Sequence, residues 1–267
     1  MKRLLPAVLA LACALGGCLK FKQEFTLMPD GSGKMQLTIA TKPNPAAPVG
    51  EGGGITLQEM MSEDPDKMGK EMPGIVAMTR PKEEKKDGWT YLTFSAYFED
   101  FNKVAIKQGE GDDAQTMFDG KFSKQGDGFV FELFGKGAGD AAGPLGGADD
   151  APPEAKAQME AMLKQLLAGF EMKLGVKLPG AVTEISGFAV KEGREASFVL
   201  SEKDLGKAAD MKKMEAVKSM KAVSGASQVS EAELAAWKAE VAKAKEEWAV
   251  LKKEMKANYE KKKASEK

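Results

Sequence analysis

The chain has 267 residues, 43% of them hydrophobic, with 39 Lys and Arg against 40 Asp and Glu and no histidine. That size and apolar share suffice for one sizeable domain or two small ones, and a net charge of −1 lacks the basic excess of a nucleic-acid binder or a strongly cationic membrane binder. Without histidine the chain builds no Ser-His-Asp or Cys-His catalyst, no histidine-based zinc site and no proximal-histidine haem site.

Met1-Lys2-Arg3 gives a positive start, and residues 4–15 form an apolar run broken only by Pro6. This is the pattern of an export signal, and it falls short of the roughly 20 apolar residues that span a bilayer. Leu15-Gly16-Gly17-Cys18 follows and resembles the lipobox of bacterial lipoproteins: an apolar residue, two small ones that admit a peptidase within the membrane, and the cysteine that becomes the new N-terminus. The resemblance implies a diacylglyceryl thioether on Cys18, cleavage after Gly17 and acylation of the new amino group. Two or three acyl chains anchor stably where one binds marginally. The alternatives are an ordinary signal cut after Ala12 or Ala14, leaving Cys18 a free thiol, and a retained anchor helix. Charge, core length, small residues and cysteine agree in register with the lipobox. Cys13 lies within the signal, so the mature chain has no cysteine pair for an internal disulfide.

Directly after Cys18, Leu19, Phe21, Phe25 and Leu27 alternate with Lys20, Lys22, Glu24 and Thr26. Pro29-Asp30-Gly31-Ser32-Gly33 turns the chain, and Met35, Leu37 and Ile39 continue the alternation, predicting a hairpin with one buried face. Ordered structure is thus expected immediately beside the anchor, with the domain close against its membrane. Residues 42–54 are rich in Pro and Gly and read as a flexible loop. Thr56 and Glu59 form a capping-box pattern opening a short Met-rich helix. Met60, Met61, Met68 and Met72 could form a soft binding surface or a copper site, but with no His or Cys among them apolar packing is the better reading, and no metal is expected.

Strands are expected at 75–79 and 89–98, with the charged stretch 81–88 as their turn. Trp89, Tyr91 and Tyr97 lie on the face opposite Leu92, Phe94, Ala96 and Phe98, as in a central strand or one covered by a helix. A further hairpin reads at 118–123 and 129–134, and residues 135–153 form a second, low-complexity flexible loop. A helix follows with Met159, Met162, Leu163, Leu166 and Leu167 on one face. Phe170, Met172, Leu174, Val176 and Leu178 then alternate strictly with Glu171, Lys173, Gly175 and Lys177, and strands at 182–186, 188–190 and 196–200 complete the series. The prediction is an α+β fold with a mainly antiparallel sheet of hairpins, packing helices and a long charged C-terminal helix. It divides into a signal at 1–17, an anchored domain at 18–205 and a helical tail at 206–267.

Within the tail, Met211, Met214, Val217 and Met220 suggest a helix ending near Ser224-Gly225, and Ser230 with Glu233 caps a second. There Leu234, Trp237, Val241, Ala244, Trp248, Leu251 and Met255 recur at spacings of three and four, a heptad stripe suited to helix association. The stripe could pair with a copy of itself, bind another envelope component, or fold back onto its own domain. Tryptophan fits a two-stranded seam poorly and favours an antiparallel partner within or between chains.

The hairpin turning at Pro-Asp-Gly-Ser-Gly after a lipidated cysteine, the aromatic strand ending in Phe98-Glu99-Asp100-Phe101 and the late strand ending in Leu178-Pro179-Gly180 are similar to LppM-type bacterial lipoproteins over residues 18–205. That resemblance implies an envelope location and contact with lipid or glycolipid, and it transfers no catalytic residues. The expectation is a non-enzymatic scaffold or lipid- or partner-binding module, with no cofactor and no nucleic acid. Leu19 is not the Asp that retains enteric-type lipoproteins in the inner membrane, so under that rule the outer membrane is the destination. The alternatives are a hydrolase using a carboxylate pair such as Glu99-Asp100, and an adhesin or assembly factor acting through the C-terminal helix.

Overall fold

The computed structural model describes residues 19–42, 57–108, 115–135, 169–205 and 219–265. The signal, Cys18, most of the two loops and the helix expected before Gly169 lie outside them.

Alternation of apolar and polar residues builds the first hairpin, β1 (Leu19–Leu27) and β2 (Gly33–Thr41), with Leu27 opposite Gly33. Gly31 takes φ +84° in the turn, where a side chain would be strained. β2 pairs with β5 (Trp89–Phe98), which also pairs with β3 (Ile75–Met78) and β4 (Lys82–Lys86). The other edge of β1 pairs in parallel with β9 (Glu171–Lys177), followed by antiparallel β12 (Glu195–Ser201) and β11 (Val190–Glu192). A second sheet runs in the order β10 (Gly180–Ser186), β13 (Ser219–Ser227), β8 (Gly128–Gly135), β7 (Gln115–Gln125) and β6 (Ile106–Gln108). The described helices are α1 (Leu57–Met60), α2 (Pro65–Glu71), a 3-10 turn at Phe101–Lys103, α3 (Glu202–Leu205) and the 35-residue α4 (Glu231–Ser265). The fold is α+β with mostly antiparallel pairing.

Phe25, Phe98, Phe101 and Phe131 are fully buried at the centre of the core. Phe25 meets Phe101 edge-on at 5.6 Å, and Phe101 lies 5.2 Å from Phe131, spacings at which aromatic pairs add to simple area burial. Gly120 makes room for this stack, since a Cβ there would sit 2.8 Å from the Phe101 ring.

Three local readings are corrected. Residues 82–86, read as turn, form an edge strand whose side chains are all exposed; no apolar alternation marks it because neither face is buried, and its charges suit a protected edge. The turn itself is Asp87-Gly88, both at positive φ, the conformation a tight hairpin needs. The segment around Met220, read as the end of a helix, is strand β13: Met220, Ala222 and Ser224 are buried alternately, a period of two. Ser224 and Gly225 carbonyls approach so closely that a Cβ at Gly128 or Gly180 would lie 2.1 or 2.2 Å away. Consequently the boundary at 205/206 does not separate a helical tail, because β13 is interior to the second sheet.

Candidate functional site

Strand register assigns Lys20, Lys22, Glu24, Thr26, Lys34, Tyr91, Tyr97, Lys173 and Gly175 to one face of the first sheet, called here the outer face. Its two ends differ. At the β1 start, Leu19 is 2% exposed and paired opposite Thr41. The residue next to Cys18 is therefore already part of the packed sheet. On the outer face here, the Lys20 ammonium lies 4.5 Å over the Trp89 ring, Lys86 sits opposite Trp89, and the Lys42 side chain crosses Gly88.

Farther along, Gly175 presents no side chain, and an open groove of about 160 Å³ lies there, lined by Glu24, Lys34, Gln36, Lys173, Lys177 and Glu195 among others. Its charges are largely matched: Glu24 meets Lys22 at 2.7 Å and Lys173 at 3.4 Å, and Lys34 meets Glu240 at 2.7 Å. The volume is below the roughly 300–1,000 Å³ of small-molecule pockets.

At the opposite end α4 closes the sheet. The Trp237 indole stacks on Tyr97 at 5.8 Å and donates from Nε1 to Ser32 Oγ at 2.9 Å. The Ser32 hydroxyl in turn donates to Asp30 Oδ1 at 2.6 Å. Tyr97 donates to Glu240 at 3.0 Å, and burial together with that carboxylate holds its phenol well above the ordinary range. Trp248, Leu251 and Met255 are buried farther along, where α4 contacts β3 and α2. Arg80 pairs with Glu254, raising its own pKa and lowering that of the carboxyl through their hydrogen bond. Asn258 donates to the Met61 carbonyl at 3.3 Å.

Of the stripe expected to associate, Trp237, Trp248, Leu251 and Met255 are buried, and Leu234 and Val241 pack partly buried beside the core. The stripe is thus covered by the chain's own domain, and in this conformation it is not free to pair with a copy. At the start of α4, Ser230 Oγ accepts from Glu233 N at 3.1 Å. Glu233 does not return the contact expected of a full capping box; its carboxylate meets Arg194 at 3.1 Å, tying the helix to the β11–β12 turn.

The acid pair has structural partners. Glu99 pairs with Lys245 of α4, and Asp100 Oδ1 caps the 3-10 turn by accepting from Asn102 N at 3.0 Å. Met61 is buried, while Met60, Met68 and Met72 pack partly buried against the core. Among the described residues no group of three or more Asp, Glu, Cys or His side chains is arranged to hold a metal, and no described helix is long and apolar enough to cross a membrane. Leu15, Gly16, Gly17 and Cys18 lie outside the described residues. Sequence reasoning missed Ser32 and Asp30 as a helix-docking site; the turn signal was visible, but its indole partner is distant in sequence.

No family model matches the chain, and no curated protein matches it. Among solved structures it is similar to the folded domain of the Mycobacterium tuberculosis LppM protein determined by NMR, at 14% identity and a TM-score of 0.37, over 81% of this chain and 94% of that one. A likeness this distant assigns the chain neither a family nor a function.

Proposed function

We propose that the chain is a non-enzymatic lipoprotein of the bacterial cell envelope, held by lipid on Cys18, with its first sheet kept against the membrane as a scaffold or binding module. One observation carries the reading: the lipobox cysteine is followed at once by Leu19, a buried residue of an interior strand. A lipid at residue 18 therefore has no slack tether. It holds the β1 end of the domain within a residue's reach of the bilayer, since one extended residue spans only about 3.5 Å. Outer-membrane sorting follows from Leu19 if the enteric rule operates.

The engagement of Glu99 and Asp100 in helix docking and capping favours this reading over a hydrolase built on that pair. Burial of the α4 stripe favours it over an adhesin that associates through the same stripe. The test is membrane fractionation of the native protein with and without lipid attachment at Cys18. Wild type should stay with membranes through high-salt and alkaline washes. A mature Cys18→Ser chain made without residues 1–17 should be released by those washes; its retention through them would contradict lipid anchoring as the source of attachment.

A further inference from the structure

We propose that Lys20, Lys42 and Lys86, grouped around Trp89 at the β1 end of the outer face, bind the anionic phospholipid headgroups of the anchoring membrane and so fix the domain's orientation on it. The proposal rests on the anchored reading above, because it takes the anchor's position from Cys18.

Three observations bring the lysines to that surface. First, the register makes them neighbours: Lys86 is opposite Trp89, Thr41 opposite Thr90, and Lys20 lies above the Trp89 ring. Second, Lys42 and Lys86 are exposed and make no ion pair among the described residues, unlike Lys34, Lys173 and Lys245, whose carboxylate partners neutralise them. Third, the segment that leads to the lipidated cysteine joins the sheet at Leu19, beside Lys20. The charge is local. Glu84 and Glu171 flank the group on either side of the face, and the whole chain is close to neutral, so attraction to an anionic surface has a preferred direction.

A lysine near an anionic bilayer contributes about fivefold to binding, and the effect fades within a Debye length. Three lysines brought to the surface by the anchor therefore orient the domain without needing high affinity themselves.

The test uses the mature chain, residues 18–267 with Cys18→Ser, which keeps every described residue of the buried core. Its sedimentation is measured with vesicles of phosphatidylcholine alone and with a third of the lipid replaced by phosphatidylglycerol. The expected result is binding to the anionic vesicles only, lost in high salt. Each of Lys20→Gln, Lys42→Gln and Lys86→Gln should lower it by about fivefold. Lys124→Gln, Lys238→Gln and Lys253→Gln, at exposed sites elsewhere, should not. Because Lys20 also covers Trp89, the Lys42→Gln/Lys86→Gln double variant tests the proposal independently of that contact. Equal binding to both vesicles, or equal losses from the two sets of lysines, would overturn it. If native wild type is lipid-anchored but the unlipidated chain ignores phosphatidylglycerol, the lysine proposal falls and anchoring stands. If the native N-terminus carries no lipid, anchoring falls, and vesicle binding by the lysines is still decided by its own measurement.

Discussion

The two ends of the first sheet differ in what covers their outer face. At the β1 start the outer face is bordered by exposed lysines and no described helix covers it; at the turn between β1 and β2 the same face is closed by a helix that stacks Trp237 on Tyr97 and ties its indole to Ser32. The face that α4 covers is therefore structural, whereas no described helix covers the end nearest residue 18. The charged C-terminal helix, which looks like an interaction tail, is a part of the domain.

Removing α4 should break that contrast most severely. Trp237, Trp248, Leu251 and Met255 each contribute about 1.5–3 kcal/mol through burial, so their sum is comparable to the whole stability of a domain, about 5–15 kcal/mol. A chain ending after Val229 should lose cooperative unfolding in denaturant titration; a cooperative transition with unchanged midpoint would show that the helix is dispensable. Trp237→Ala should cost about 3–5 kcal/mol in the same assay. Trp237→Phe keeps ring stacking but removes the Nε1 donor to Ser32, and should cost far less than the alanine variant.

A narrower test separates faces of α4. Leu251 is 4% exposed and its neighbour Val250 is 65% exposed. Leu251→Ala should destabilise by about 2–5 kcal/mol, whereas Val250→Ala should stay within about 0.5 kcal/mol of wild type; similar losses at both would mean the helix does not dock on this side.

The smallest effect is expected from pH. Glu254 is lowered from its ordinary value of 4.5 by its hydrogen bond to Arg80, so its contribution is present above that value and is lost as pH falls through the folded one. Acidification should loosen the second half of α4, read as increased proteolysis there, and Glu254→Gln should reduce the pH dependence of that loosening. A variant with the wild-type pH response would assign the effect to other carboxylates.

Much of this arrangement was legible because burial imposes a period. Alternation located β1, β2 and, most strictly, β9, a shared apolar face with aromatics on both sides located β5, and the spacing from Trp237 to Met255 located the face of α4 that is buried. What that face meets was not legible, since a heptad stripe suits a sheet of its own domain as well as another helix. β4 escaped because an edge strand exposed on both faces carries no apolar pattern. β13 was misread because methionines three residues apart run into a strand at Ser219, where Ser, Val and Gly take over and the period changes to two. The parallel pairing of Phe21 with Met172 joins segments far apart in sequence, and nothing local announces it. Local signals located the start of β1, but the gathering of Lys20, Lys42 and Lys86 around Trp89 depends on register among four strands, β1, β2, β5 and β4.

Whether lipid on Cys18 holds this end of the sheet at a membrane is decided by the mass of the N-terminal peptide from protein purified out of native membranes. The expected peptide begins at Cys18 and is heavier by a diacylglyceryl group and an amide-linked acyl chain. An unmodified cysteine, or an N-terminus produced by cleavage after Ala12 or Ala14, would contradict it.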